Sequence, residues 1–99
     1  MVFSKFPKKA KIRKTIYPIN YKEKIKIKDK ELYGVCFHYR PRIDISIETK
    51  NEMESTIIHE LIHAISCRYG LNLSEKKVLA LESAIYNLFI DNGWTILIK

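Results

Sequence analysis

The spacing of apolar residues changes period near residue 49, and this change restricts the fold more than any other feature of the chain. Ile43, Ile45 and Ile47 alternate with Asp44, Ser46 and Glu48, the period of a strand with one buried face. Past Asn51 the apolar positions are Met53, Ile57, Leu61, Ala64 and Ile65, with Ile58 and Ile62 widening the stripe, which is the period of an amphipathic helix. Thr49 or Asn51, each followed three residues on by Glu52 or Glu54, supplies a capping signal, and Gly70 a left-handed stop. A second helix is expected between its cap Ser74 and Gly93, with Val78, Leu81, Ile85, Leu88 and Phe89 on its apolar stripe.

The first half reads as short strands. Ile12, Ile16 and Ile19, with Thr15 and Tyr17, mark an extended segment interrupted at Pro18. Residues 21–28 set Ile25 and Ile27 against Lys24, Lys26 and Lys28. After a turn at Lys30 and Glu31, Val35 and Phe37 share one face and Cys36 and His38 the other, before Arg40, Pro41 and Arg42 break the run. Three or four strands joined by connections too short for crossover helices predict a largely antiparallel sheet. The expected fold class is thus α+β: a small, mainly antiparallel sheet followed by an antiparallel helix hairpin. It forms one domain over residues 1–99, with residues 1–10 loosely ordered. The closing stretch from Trp94 fits either a short strand or a tryptophan packed over a helix end.

An apolar content of 46% supports a real core. The net charge of +7 is uneven, since residues 1–30 carry +9 and residues 31–99 carry −2. The basic region fits a solvated strand face, and the partner class it would attract is nucleic acid or an acidic protein segment. Cys36 and Cys67 have no C-x-x-C spacing and read as reduced thiols, Cys67 as a small core residue. With no signal-like leader and no apolar run near 18 residues, a cytoplasmic protein with no membrane span is expected.

His59 and His63 stand four residues apart, about 6 Å in height on one helix face, a separation that lets two imidazoles reach one zinc ion. Glu60 beside them can take a proton from water. A catalytic zinc takes three protein ligands, and height along a tight hairpin points to Glu82: about 10 Å from the hairpin end, against about 9 Å for His63. Glu75 shares the row of Glu82 but falls near the wrong end by the same measure. Cys67 lies about 12 Å from His59, too far to share an ion. His38 has no partner at ligand spacing and reads as structural or as a surface residue. Tyr86, one turn past Glu82, fits either a donor to a developing oxyanion or an aromatic in the helix interface.

The residues H-E-L-I-H at 59–63 and L-E-S-A-I at 81–85, with nineteen positions from His63 to Glu82, resemble the gluzincin arrangement of the zincin metallopeptidases. The wider pattern over residues 32–92 is similar to small metallopeptidase-like proteins of phages and mobile elements. The resemblance implies a minimal zincin-like fold, zinc as cofactor, a peptide or protein substrate, Glu60 as general base, and a host cytoplasm as location. It also gives the strand of Ile43, Asp44, Ile45, Ser46 and Ile47 the border of the substrate cleft, where an extended peptide would add as a strand. The chain departs from large gluzincins in having no long carboxy-terminal helical domain. It departs from metzincins in that Ser66 and Tyr69 replace the glycine and third histidine of H-E-x-x-H-x-x-G-x-x-H. The alternatives are a catalytically inactive, metal-stabilised module that binds nucleic acid or protein, and an adaptor or inhibitor with a blocked cleft.

Overall fold

A computed structural model describes residues 5–97, in which six strands precede two helices. The elements are β1 (Lys9–Ile12), β2 (Thr15–Lys22), β3 (Ile25–Ile27), β4 (Lys30–Leu32), β5 (Gly34–Phe37), β6 (Arg42–Ser46), α1 (Met53–Arg68) and α2 (Glu75–Asn92). Four strands form one sheet in the order β1-β2-β6-β5, and β3 and β4 form a separate hairpin. The pairs β1–β2, β3–β4 and β5–β6 are antiparallel, as the short connections predict. The central pair β2–β6 is parallel, with Ile19 opposite Ile43 and Tyr21 opposite Ile45. No helix is needed for that crossover, because the β3–β4 hairpin and β5 themselves carry the chain back.

This order corrects the expected role of Ile43, Asp44, Ile45, Ser46 and Ile47. β6 is flanked by β2 and β5, so it has no free edge for a peptide, and Ile47 lies outside it in a 3-10 segment, Ile47–Glu52. Ile43 and Ile45 are wholly buried beneath the helices. Asp44, on the opposite face, is buried as well, held by Lys22 Nζ at 3.1 Å, Asn20 Nδ2 at 3.1 Å and Arg42 Nε at 3.3 Å. The edge next to α1 belongs to β5.

Several strand limits differ from the sequence pattern. β2 runs through Pro18, which precedes Ile19, the first residue paired with β6, so its missing N–H removes no bond there. The inward phase is Tyr17 and Ile19, while Ile16 is exposed. Lys28 and Asp29, at φ 52° and 63°, make the two-residue β3–β4 turn and put Lys30 and Glu31 inside β4. Near the start, Phe6 is buried, Tyr21 donates its hydroxyl to the Pro7 carbonyl at 2.5 Å, and Ile19 N donates to the Lys8 carbonyl at 2.8 Å. The docked chain therefore begins before Lys11, and residues 1–4 lie outside the described residues. Trp94 packs edge-on against Phe89 with ring centroids 5.9 Å apart, which decides its placement over the helix end; residues 98–99 lie outside the description.

The inner sheet face, with Phe6, Ile12, Tyr17, Ile19, Ile43 and Ile45, packs on Met53, Ile57 and Ala64 of α1. The opposite side of α1 sets Ile58 and Ile62 against Val78, the one buried residue of α2. Each such apolar side chain stabilises the fold by about 1.5–3 kcal/mol. Glu52, the residue before α1, makes no side-chain cap, since the chain enters the helix from the 3-10 segment capped by Ser46; Thr49 instead donates its hydroxyl to the Ser46 carbonyl at 2.9 Å. Gly70 at φ 65° and Gly93 at φ 69° end the helices, and Ser74 caps α2 by accepting from Lys77 N.

Candidate metal centre

Helical spacing places His59 and His63 on one face of α1, with ring centroids 4.9 Å apart. One carboxylate of α2 spans both. Glu75 Oε2 lies 3.2 Å from His59 Nε2, and Glu75 Oε1 lies 2.9 Å from His63 Nε2. The three residues offer donor atoms all within 4.8 Å of one another, a group that can hold a metal ion.

Glu82, expected as the third ligand, sits elsewhere: its Oε1 is 2.8 Å from His59 Nδ1. It accepts the Nδ1–H hydrogen, which aims the Nε2 lone pair at the shared centre. Both ring nitrogens of His59 thus face carboxylate oxygens, and the cluster calls for positive charge between them.

The height argument misjudged Glu75 because it assumed that the linker leaves the end of α1 outward. The linker folds back along the last turn instead: Leu71 N donates to the Ser66 carbonyl at 2.9 Å, and Leu73 N donates to Ser66 Oγ at 2.9 Å. α2 consequently starts near the level of Ser66 and His63, which brings Glu75 to the imidazoles and moves Glu82 to the Nδ1 side of His59.

Glu60 is only 6% exposed and lies under β5. A Cβ on Gly34 would meet Thr56 Cγ2 at 2.7 Å and Glu60 Oε2 at 3.2 Å, so the glycine lets strand and helix approach and leaves the carboxylate its space. Burial first of all, opposed by His59 and aided by Glu75 and Glu82, pushes the Glu60 carboxyl up to about 7. A carboxyl poised near neutrality suits proton transfer at physiological pH.

Two hollows flank Glu60. One of about 330 Å³ is lined by Tyr33, Gly34, Thr56, His59, Leu79 and Glu82 among others, and one of about 290 Å³ by Gly34, Val35, Cys36, His38, His63 and Glu75. Tyr86 lines neither. It packs against the Ile58, Ile62 and Val78 cluster, so the structure supports its place in the helix interface and not the oxyanion role. Cys67 is exposed and not a core residue, whereas Cys36 is half-buried with its thiol pushed up to about 12 by burial; both thiols are free. His38, which no spacing rule singles out, reaches the second hollow from just beyond the end of β5.

Among the described residues, no helix is long and apolar enough to cross a membrane. Neither protein-family models, nor curated proteins, nor solved structures give a match to this chain.

Proposed function

We propose that this chain is a small zinc-dependent peptidase. The observation that carries the reading is the pair of Nε2 atoms facing one carboxylate, with the buried Glu60 next to them in sequence. Two imidazoles and a carboxylate form a donor set that fits zinc. His59, His63 and Glu75 would hold the ion, and Glu82 would fix the His59 tautomer from its Nδ1 side. A bound zinc supplies Lewis acidity and makes water a nucleophile near neutral pH.

Glu60 takes the proton of the attacking water as its oxygen bonds to the scissile carbonyl carbon. It returns that proton to the amide nitrogen as the C–N bond breaks, so the base is regenerated with each turnover. The cleft-side strand is β5 in place of β6. Its outer edge is free among the described residues, and Gly34, Val35 and Cys36 line the hollow beside Glu60, positions suited to pairing with an extended peptide.

The test is zinc titration followed by digestion of a diverse peptide library. Stoichiometric zinc binding and cleavage by the wild type are expected, with a Glu60→Gln variant that keeps the metal and loses at least about 100-fold in kcat. Zinc-dependent folding with no turnover in the wild type would favour the binding-module alternative, and absence of zinc binding would defeat both.

A further inference from the structure

His38 is held in place by Tyr17 and Arg68, with Cys36 Sγ 3.7 Å from its Nδ1. Tyr17 is wholly buried, and its hydroxyl oxygen accepts a hydrogen bond from Arg68 Nε at 2.8 Å. The hydroxyl hydrogen also needs an acceptor, because a buried donor left unpaired is costly. Among the described residues the nitrogen within reach is His38 Nδ1, at 3.2 Å. The phenol therefore donates to Nδ1, and the hydrogen of the neutral ring must sit on Nε2.

Arg68 also holds the backbone, its Nη2 donating to the His38 carbonyl at 2.9 Å. Burial, then the Arg68 charge and His63, lower the pKa of His38, which favours the neutral ring. With Nδ1 engaged by Tyr17, Nε2 is the ring nitrogen left for the hollow that His38 lines. There His38 and His63 are the two residues shared by the hollow that contains Glu60 and Glu75 and by a neighbouring hollow lined by Ser66, Cys67, Gly70, Asn72 and Leu73.

We propose that His38 donates a hydrogen bond from Nε2–H to the carbonyl oxygen of the bound peptide, the role that Tyr86 is too far inside the helix interface to fill. The inference rests on the peptidase reading. As the water oxygen bonds to the carbonyl carbon, the C=O π pair moves onto the carbonyl oxygen. His38 meets that growing charge with a donor already in place, and it keeps its proton throughout. Tyr17 and Arg68 are positioning residues that fix the tautomer.

Two measurements test this. Two-bond 1H–15N correlation NMR on the zinc-free protein at pH 7.5 is expected to find a bare Nδ1 and a protonated Nε2 on His38. A hydrogen on Nδ1 overturns the inference whatever the activity. In the zinc-loaded protein, His38→Ala is expected to lower kcat by about 100-fold on a peptide the wild type cleaves, while KM and zinc affinity stay within about threefold. His38→Gln, which keeps a side-chain N–H, should recover part of the loss. Cleavage at the wild-type kcat by His38→Ala overturns this inference alone, whereas a zinc-loaded wild type that cleaves nothing overturns the peptidase reading and this role with it. If His38→Ala does not fold, Tyr17→Phe replaces it: a mixed tautomer and a lower kcat support the role, and a mixed tautomer with unchanged kcat overturns it.

Discussion

Glu60 shows how one side chain couples chemistry to stability. Its folded pKa of about 7 stands above the ordinary 4.5, so between those two values the unfolded chain releases a proton that the folded chain keeps. Stability of the zinc-free protein should therefore fall as pH rises through that window and level off above about 7. The cost is on the order of 3 kcal/mol. Denaturant melts of the zinc-free Glu60→Gln variant should lack this slope and show a protein more stable than the wild type at pH 8. Equal stabilities at pH 8 would mean that Glu60 is not desolvated. The two acidic residues of α2 separate just as clearly. Glu75 faces both Nε2 atoms while Glu82 faces Nδ1 of His59 alone, so Glu75→Ala should abolish tight zinc binding and Glu82→Ala should weaken it by about 10- to 100-fold. Isothermal titration with zinc gives the ranking, and the reverse order would restore Glu82 as the ligand.

At the level of elements, the site depends on how closely β5 lies over α1. Gly34 has no side chain where Thr56 and Glu60 come within contact distance, and Thr56 is itself buried and has little room to move. Gly34→Ala should therefore destabilise the fold by about 1–3 kcal/mol and displace Glu60, even though alanine suits a strand better than glycine. A chemical melt checks the first effect, and peptide cleavage checks the second. The antiparallel character of the sheet was legible because the connections are short, but two of the hairpins were not, since Lys9 and Ala10 read as a loose start and Lys30 and Glu31 as a turn. The parallel β2–β6 pair was not, since Ile19 and Ile43 are twenty-four positions apart and nothing local in either segment specifies which strand its neighbour will be. The caps show the same limit: Thr49 carries a local capping signal, yet the 3-10 segment spends its hydroxyl on the Ser46 carbonyl.

For the molecule as a whole, α2 is the weakly attached part. Val78 is its one buried side chain among the described residues, and Leu79, Leu81, Leu88 and Ile90 are exposed. Ile85 and Tyr86 add partly buried contacts, and polar groups supply the rest of the grip, with Glu75 and Glu82 reaching across to the two histidines of α1. An ion bound by His59, His63 and Glu75 would tie the two helices together. At a hundredfold excess over its Kd, zinc should stabilise the protein by about 2.7 kcal/mol and raise Tm on the order of 10 °C, with EDTA reversing the shift. Calorimetry showing an unchanged Tm would count against coordination across the hairpin.

The sequence by itself determined the α+β class, the two helices with their glycine stops, and the juxtaposition of His59, Glu60 and His63. All of these follow from repeat distances within a few residues, which the backbone geometry of a helix or strand converts directly into position. Only the tertiary structure decided that β5 lines the hollow beside Glu60, that Glu75 and not Glu82 spans the imidazoles, and that His38 Nδ1 meets the Tyr17 hydroxyl. Those outcomes depend on the path of a linker pinned to Ser66, on strand order, and on a buried phenol needing an acceptor, contacts between residues whose separation along the chain carries no geometric signal.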